Sequence, residues 1–153
     1  MSRRRRIVTL VVAVLGVLFL LLQVIPYGHA HGAPATTKRA SFPASARSLV
    51  AGACSDCHSN DTKWPWYSNV APASLLVVND VKGGRKRLNF SQWDRPQPSL
   101  EDVLASVRRG SMPPWQYKLI HGRGRLSAAE RGWLEGALRK LYASDPPPVR
   151  PGR

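Results

Sequence analysis

The chain has 153 residues, which leaves room for one domain. Its formal net charge of +14 suits an acidic partner protein or a negatively charged membrane surface. Nucleic acid is not an expected partner, because four of the positive charges, Arg3 to Arg6, precede a segment that is typical of exported chains.

The first predicted element is an apolar N-terminal helix. Ile7–Val24 is an uncharged run of 18 residues, close to the lower limit for a helix that crosses a membrane. The arginines ahead of it predict an N-terminus held in the cytoplasm and export of everything that follows. Small-residue patterns at Gly28–Ala30 and Ala33–Ala35 leave a cleaved signal peptide as the alternative. We favour an anchor in the cytoplasmic membrane with the domain on its periplasmic side; cleavage would instead release the domain into the periplasm.

The rest of the chain is predicted to form a tether, one helical domain and a tail. Residues 26–43, which follow the anchor or signal at 1–25, contain Ala, Gly, Pro, Thr and His without apolar periodicity, which indicates a flexible tether. The domain is expected to cover residues 44–142, and a proline-rich tail residues 143–153. The predicted fold class is all-α, with about four short helices, long loops and the N-terminal transmembrane or signal-anchor helix in front.

Two helices are predicted in the first half of the domain. Ala44–His58 contains no proline and carries apolar residues ahead of its end. The second helix is expected to begin at Pro72, a residue favoured in a first helical turn, and to end near Gly83 and Gly84. Large aromatic residues interrupt the helical pattern between the two.

Two further helices are predicted from capping patterns. Ser99 and Asp102 resemble a capping box that opens the third helix, and Gly110 is expected to stop it. Ser127 and Glu130 form a better capping box for the fourth helix. The residues predicted on the apolar stripe of that helix are Trp133, Leu134, Ala137, Leu138 and Leu141.

The strongest chemical signal is the segment Cys54-Ser55-Asp56-Cys57-His58. Two thiols three residues apart and a histidine four residues after the first share one face of a helix. C-x-x-C-H is the pattern of covalent haem attachment, in which the thiols form thioethers with the haem vinyl groups and the imidazole binds the iron. We therefore predict one covalent haem c, attached to Cys54 and Cys57, with His58 as the proximal iron ligand.

Two other interpretations of this motif stay open. An exported C-x-x-C pair could form a redox-active disulfide, although such motifs normally open a helix after a strand, and no strand-like run precedes Cys54. Zinc is the other alternative, although the sequence lacks a second ligand pair at the spacing of a closed tetrahedral site. Haem is favoured over both.

A bound haem would also need apolar packing and partners for its propionates. Candidates to pack on it, or to be ordinary core residues instead, are the aromatic residues Trp64, Trp66 and Tyr67. Arg85 and Asn89 are candidate propionate partners, since arginine matches a carboxylate with two parallel hydrogen bonds; a solvated basic loop is the alternative. A backbone carbonyl in the loop 64–72 is expected to orient His58 through its second ring nitrogen.

Met112 is predicted to be the distal iron ligand. The chain has two methionines, and Met1 precedes the apolar run, so only Met112 can supply a thioether. Pro113 and Pro114 would hold its loop rigid, which suits a weak iron–thioether bond. His121 is the alternative distal ligand, and Met112 could instead fill a gap in the core. Thioether ligation raises the reduction potential of a haem, which suits electron transfer.

Several short motifs follow the C-x-x-C-H segment in order. They are Ser59-Asn60, Trp64-Pro65-Trp66-Tyr67-Ser68, Leu88-Asn89-Phe90-Ser91, Met112-Pro113-Pro114, Tyr117, His121, Leu126-Ser127 and Glu130. Together they resemble the bacterial haem-binding domain family of small, exported, cytochrome c-like proteins, over roughly residues 44–142. Leu75 departs from the family pattern, in which a tryptophan is expected there. The resemblance implies haem binding and a cytochrome c-like helical domain, and it leaves the physiological role open.

The sequence therefore predicts a membrane-tethered c-type cytochrome domain that passes single electrons to a redox partner protein. We expect an electron carrier rather than an enzyme. A haem peroxidase, or a haem-based gas or redox sensor with a labile sixth ligand, is the alternative, and the sixth ligand distinguishes these functions. The oligomeric state is left open by the sequence.

Overall fold

The computed structural model describes residues 2–151, which fall into two compact units. One unit contains the chain up to Gly32 together with Trp64–Asp80, and the other contains Ala33–Lys63 together with the chain from Val81 onward. Helices form both units, and no β-strand occurs among the described residues. The predicted all-α class is confirmed.

The first unit contains the N-terminal helix α1, Arg3–Gln23. None of its residues is buried, and by length and composition it is apolar enough to cross a membrane or to act as a signal sequence. Gln23 at its end bonds to the backbone of Ala71 twice, donating to the carbonyl at 3.2 Å and accepting from the N–H at 2.9 Å. His31 stacks on Trp64 with ring centroids 4.1 Å apart, so part of the predicted tether is packed within this unit.

The remaining helices follow in chain order. They are α2 (Ala44–Val50), a π-helical turn (Ala51–Ser55), α3 (Asp56–His58), α4 (Ala73–Arg87), α5 (Leu100–Arg108), α6 (Trp115–Ile120) and α7 (Ala128–Ser144). Short 3₁₀ turns are formed by Pro26–His29, Trp66–Asn69 and Gly122–Gly124. Because α2, the π turn and α3 follow one another without a break, the helix predicted over Ala44–His58 is confirmed.

The helix starts predicted from capping patterns are also confirmed. Ser99 Oγ accepts the Asp102 N–H at 3.2 Å ahead of α5. Ser127 and Glu130 form a reciprocal capping box ahead of α7, in which each side chain bonds to the backbone of the other. Gly110, just past α5, has a φ of 66°, a conformation that favours glycine and ends a helix.

The structure differs from the helix predictions at three places. α4 runs through Gly83 and Gly84 to Arg87, since neither glycine adopts a positive φ. α6 was not predicted, because its six residues follow two prolines and are too few to show an apolar period. Trp133 is 72% exposed, since it lies at the edge of the buried stripe of α7, about 100° around the helix from Leu134.

The core of the second unit lies between α2, α5, α7 and the segment that follows α4. Its buried residues are Phe42, Val50, Leu88, Phe90, Trp93, Leu104, Val107, Leu134, Leu138 and Leu141. Trp93 is fully buried and donates its indole N–H to the Asp145 carbonyl at 2.7 Å. The core therefore fixes residues 88–93, and Phe90 N–H donates in turn to the His58 carbonyl at 2.8 Å.

The tail after α7 is packed against the same unit. Gln97 forms an isolated β-bridge with Val149. Its N–H donates to the Pro148 carbonyl and its carbonyl accepts the Arg150 N–H, both at 2.8 Å. The described part of the proline-rich tail is therefore part of the folded domain.

Candidate functional site

The C-x-x-C-H motif begins inside the π-helical turn and ends at the last residue of α3. Side-chain hydroxyls satisfy the carbonyls of this irregular segment. Ser55 Oγ donates to the Val50 carbonyl five residues back at 3.3 Å, and Ser59 Oγ donates to the Ser55 carbonyl at 2.8 Å. Thr62 Oγ1 donates to the Asp56 carbonyl at 2.6 Å. The hydroxyls thus stabilise a turn whose helical hydrogen bonds are irregular.

His58 is held by its ring. Its Nδ1 lies 3.1 Å from the Gly84 carbonyl and 3.0 Å from the Leu88 carbonyl. Because a carbonyl can only accept, Nδ1 carries the proton and Nε2 keeps its lone pair. Histidines that bind metals use this arrangement, in which the second ring nitrogen donates to a backbone carbonyl.

The source of these acceptors differs from the prediction, which placed the orienting carbonyl in the loop 64–72. Both carbonyls belong instead to the C-terminal end of α4 and the residue just after it. The Gly84 carbonyl also accepts the Leu88 N–H at 2.9 Å, so its oxygen serves both this backbone bond and the imidazole, while Leu88 lies just past the last residue of α4.

Burial favours the neutral forms of His58 and Cys54. It lowers the pKa of His58, and the hydrogen bonds to Leu88 and Gly84 oppose that shift. Burial also raises the pKa of the Cys54 thiol to about 12, with a smaller contribution from Cys57. A neutral imidazole with a free Nε2 is the form that binds iron.

The motif fits a covalently attached haem. Cys54 and Cys57 are half-buried cysteines outside any disulfide in one helical segment, and His58 offers an unprotonated Nε2. Among residues 2–151 no group of three or more His, Cys, Asp and Glu side chains could hold a metal ion. The two thiols and the imidazole of this motif are the donor set that haem attachment uses.

Arg85 and Asn89, the predicted propionate partners, bond within the protein. Arg85 donates from Nε to the Ser59 carbonyl and from Nη2 to Thr62 Oγ1, both at 2.8 Å, so it closes the end of α3. Asn89 is 2% exposed and donates from Nδ2 to Asn60 Oδ1 at 3.0 Å. Propionate binding by either residue stays a prediction.

Trp64, Trp66 and Tyr67 belong to the first unit. Trp64 stacks on His31, as described above. Trp66 is 78% exposed and meets Tyr67 edge-on, with ring centroids 5.8 Å apart. Contact of these three side chains with a haem stays a prediction.

Met112 and His121, the candidate distal ligands, flank α6. Met112 is half-buried in the loop before the helix and lines a cavity of about 330 Å³ with Lys118 and Leu126. His121 follows the helix, and its ring stacks on Tyr117 with centroids 4.1 Å apart. Ligation by either residue stays a prediction.

Tyr117 supports the site, although the sequence named it only within the family resemblance. Its hydroxyl lies 3.0 Å from the Gly52 carbonyl and 2.8 Å from Asp56 Oδ2, so it ties α6 to the motif helix. Burial and the hydrogen bond with Asp56 raise the pKa of Tyr117. No periodicity marks this residue; its position after Met112-Pro113-Pro114 is the only signal.

Comparison with known proteins supports haem binding. A family model described as a haem-binding domain matches residues 17–139. The chain is 28% identical over 104 residues to a cytochrome c peroxidase from Escherichia coli (strain K12). That stretch covers 60% of this chain and 22% of the relative, so the chain spans about a fifth of the relative's length. No solved structure matches the chain.

Proposed function

Because the chain belongs to the haem-binding domain family, we propose that it is a c-type cytochrome domain that carries single electrons at the outer face of the cytoplasmic membrane. Cys54 and Cys57 form the thioether links to one haem, and His58 Nε2 binds its iron. The haem supplies an iron that changes oxidation state by one electron. The observation that carries the proposal is His58 Nδ1, fixed as a donor by two backbone carbonyls.

The surroundings of His58 support this role. Donation to two carbonyls fixes the tautomer and the ring plane, and it raises the basicity of the nitrogen that faces the iron. Phe90 holds the His58 carbonyl through its N–H and packs at a centroid distance of 6.3 Å from the imidazole ring. The fold of the chain therefore positions the His58 imidazole, which supports its role as the proximal ligand.

The covalent link is tested by expressing the full chain in a host with cytochrome c maturation machinery. Denatured protein should keep its haem stain and have the mass of the polypeptide plus one haem. The single changes Cys54→Ala and Cys57→Ala should leave at most one thioether, and the double change should leave none. Haem that acidified organic solvent extracts intact from the denatured wild type would contradict the proposal.

The membrane location is proposed from α1 and the charges around it. The helix is long and apolar enough to cross a membrane, and four arginines start its sequence. The excess of basic residues suits an acidic redox partner or the anionic membrane surface. A reporter fused after Arg153 should be active only if it works outside the cytoplasm, and activity of a strictly cytoplasmic reporter would refute the topology.

Met112 is the distal ligand in this proposal. Its thioether would raise the reduction potential, as a carrier of single electrons requires. The oxidised protein should show the weak near-infrared sulfur-to-iron band. Met112→Ala should abolish the band and open the ferrous iron to carbon monoxide, while His121→Ala should do neither. If His121→Ala is instead the change that opens the iron, His121 is the ligand.

The similarity to the Escherichia coli cytochrome c peroxidase favours a second candidate function, reduction of peroxide. The match covers 22% of that protein, so this chain corresponds to one part of it. Peroxide reduction needs a coordination position that is open or easily opened. Carbon monoxide binding and rapid peroxide-dependent oxidation of an electron donor by the unmutated protein would favour the peroxidase, and absence of both would favour the electron carrier.

A further inference from the structure

We propose that Gly84 is a positioning residue for His58, because the absence of a side chain there lets α4 approach the motif helix closely enough for two carbonyls to reach the imidazole. The inference rests on the proposed function, since its main consequence is a property of the iron bound at His58. It assigns a role to a residue that binds neither haem nor iron.

The close approach is a matter of backbone sterics. A Cβ built on Gly84 would lie 2.4 Å from the Cys57 carbonyl oxygen and 3.0 Å from the Cys57 Cβ. The nearest atom is backbone, so it cannot rotate away as the end of a long side chain would. Any residue other than glycine at this position would push α4 and α3 apart.

The neighbouring glycine provides a contrast. A Cβ built on Gly83 would meet no atom within 4 Å. Neither glycine has a positive φ, so neither is required by its backbone conformation. Glycine inside a helix is destabilising relative to alanine. Of these two glycines, only Gly84 lies where a side chain would clash with a neighbouring segment.

The same contact controls the hydrogen bonds of His58. Gly84 supplies one of the two carbonyls, and Leu88, one helical turn later, supplies the other. Arg85 extends the contact by holding the Ser59 carbonyl at 2.8 Å. Both Nδ1 distances are already 3.0–3.1 Å, so separation of the helices would stretch them past the usual limit for such bonds.

A weaker bond at Nδ1 has a predictable electronic effect. Donation from Nδ1 makes the imidazole a stronger electron donor, which stabilises ferric iron over ferrous iron. Loss of that donation should therefore raise the reduction potential. A change that disturbed only the stability of the fold would have no reason to move the potential in this direction.

The experiment uses the full chain with covalent haem attached, as wild type, Gly84→Ala and Gly83→Ala. The measurements are the reduction potential and, in the reduced protein labelled with ¹⁵N-histidine, the solvent exchange of the His58 Nδ1 proton. Gly84→Ala should raise the potential and lose the slowly exchanging proton signal. Gly83→Ala should keep the wild-type value of both. Wild-type values of both in haem-bearing Gly84→Ala protein would overturn the inference.

A second variant covers the case in which Gly84→Ala does not accumulate. Arg85→Ala removes the adjacent hold on the Ser59 carbonyl and adds no atoms at the helix crossing. Its readout is the Nδ1 proton alone, because loss of a positive charge also changes the potential. Faster exchange supports the inference, and wild-type exchange overturns it. Wild-type protein that carries no covalent haem would refute the proposed function instead, so the two failures are distinguishable.

Discussion

His58 and Met112, the residues proposed to bind the iron from its two sides, lie in segments of different construction. Backbone carbonyls of Gly84 and Leu88 hold the His58 ring, and the packing of α4 on the motif keeps them in place. Met112 is half-buried in a loop, and no residue of the following helix α6 is buried. The large exposed residues of α6 are Trp115, Leu119 and Ile120.

The contrast indicates where the geometry of the site is determined. The side of His58 depends on backbone contacts between helices. A substitution there should therefore change both the stability of the fold and the surroundings of the iron that is proposed to bind at His58. The candidate distal side depends on a proline-bounded loop and on the Tyr117 hydroxyl, so a substitution there can change the ligand and leave the fold intact.

The largest expected effect is the difference in stability between His58→Ala and Met112→Ala, measured by urea unfolding. His58→Ala removes the imidazole donor from the Leu88 carbonyl and one of the two donors from the Gly84 carbonyl, which should cost about 2–3 kcal/mol in the free energy of unfolding. It should also remove the low-spin spectrum of the haem-bearing protein. Met112→Ala should cost about 1 kcal/mol, since a half-buried methionine loses less than the 2–5 kcal/mol of a buried one. Equal losses in the two variants would contradict the contrast.

Tyr117→Phe tests the link between the two regions. It removes a hydroxyl that donates to Gly52 and Asp56, and a hydrogen bond to a charged group contributes about 1.5–3 kcal/mol. Tyr142→Phe is the matched control, since its hydroxyl donates to the neutral Pro98 carbonyl at 3.0 Å and should contribute about 1 kcal/mol. Urea unfolding of wild type and both variants shows which change lowers the free energy of unfolding more. If Tyr142→Phe is the more costly change, Tyr117 is not the link.

Ser127→Ala tests the start of α7, which follows the segment that contains Met112 and His121. Loss of the N-cap should lower the free energy of unfolding by about 1 kcal/mol, as should Ser99→Ala ahead of α5. Ser127→Ala should also change the response to acid, because backbone and side-chain hydrogen bonds from Ser127 lower the pKa of Glu130 below its ordinary value of 4.5.

The sign of this acid response follows from the direction of the pKa shift. A carboxylate whose pKa is lower in the folded state stabilises the fold above its unfolded pKa, and the stabilisation is lost as the pH falls through the folded value. Stability measured below pH 4.5 should therefore fall less steeply in Ser127→Ala than in wild type, by the part that the Ser127 hydroxyl contributes, since the backbone N–H, the larger cause, remains in the variant. Equal slopes in the two proteins would contradict the assignment.

The smallest effect is expected at an exposed ion pair close to the motif. Arg39 bonds to Asp61 and lowers the pKa of that carboxyl, and their side chains are 60% and 54% exposed. Arg39→Ala should therefore change the free energy of unfolding by less than about 1 kcal/mol, and less at high salt. A larger loss would mean that charge, rather than backbone contact, holds the proximal side.

The predictions that succeeded rest on local patterns. The capping pairs at Ser99 and Ser127 each lie within four consecutive residues, so the sequence displays them directly. The acceptors of His58 lie 26 and 30 residues away and depend on where α4 crosses the motif helix. No periodicity encodes that crossing, and Gly84 was interpreted as a helix end because glycine more often stops a helix than permits a close contact.

The packed tail has a practical consequence for anyone who wishes to trim, tag or transplant this domain. Gln97 receives its two backbone partners from Pro148 and Arg150, and its side-chain Oε1 accepts the Asn89 N–H at 3.0 Å. Asn89 directly follows Leu88, whose carbonyl accepts the Nδ1 proton of the histidine His58. The smallest fragment that preserves the surroundings of that histidine therefore extends through Arg150. A cut at the end of α7 would remove the backbone partners of Gln97 and loosen the segment that carries the acceptor.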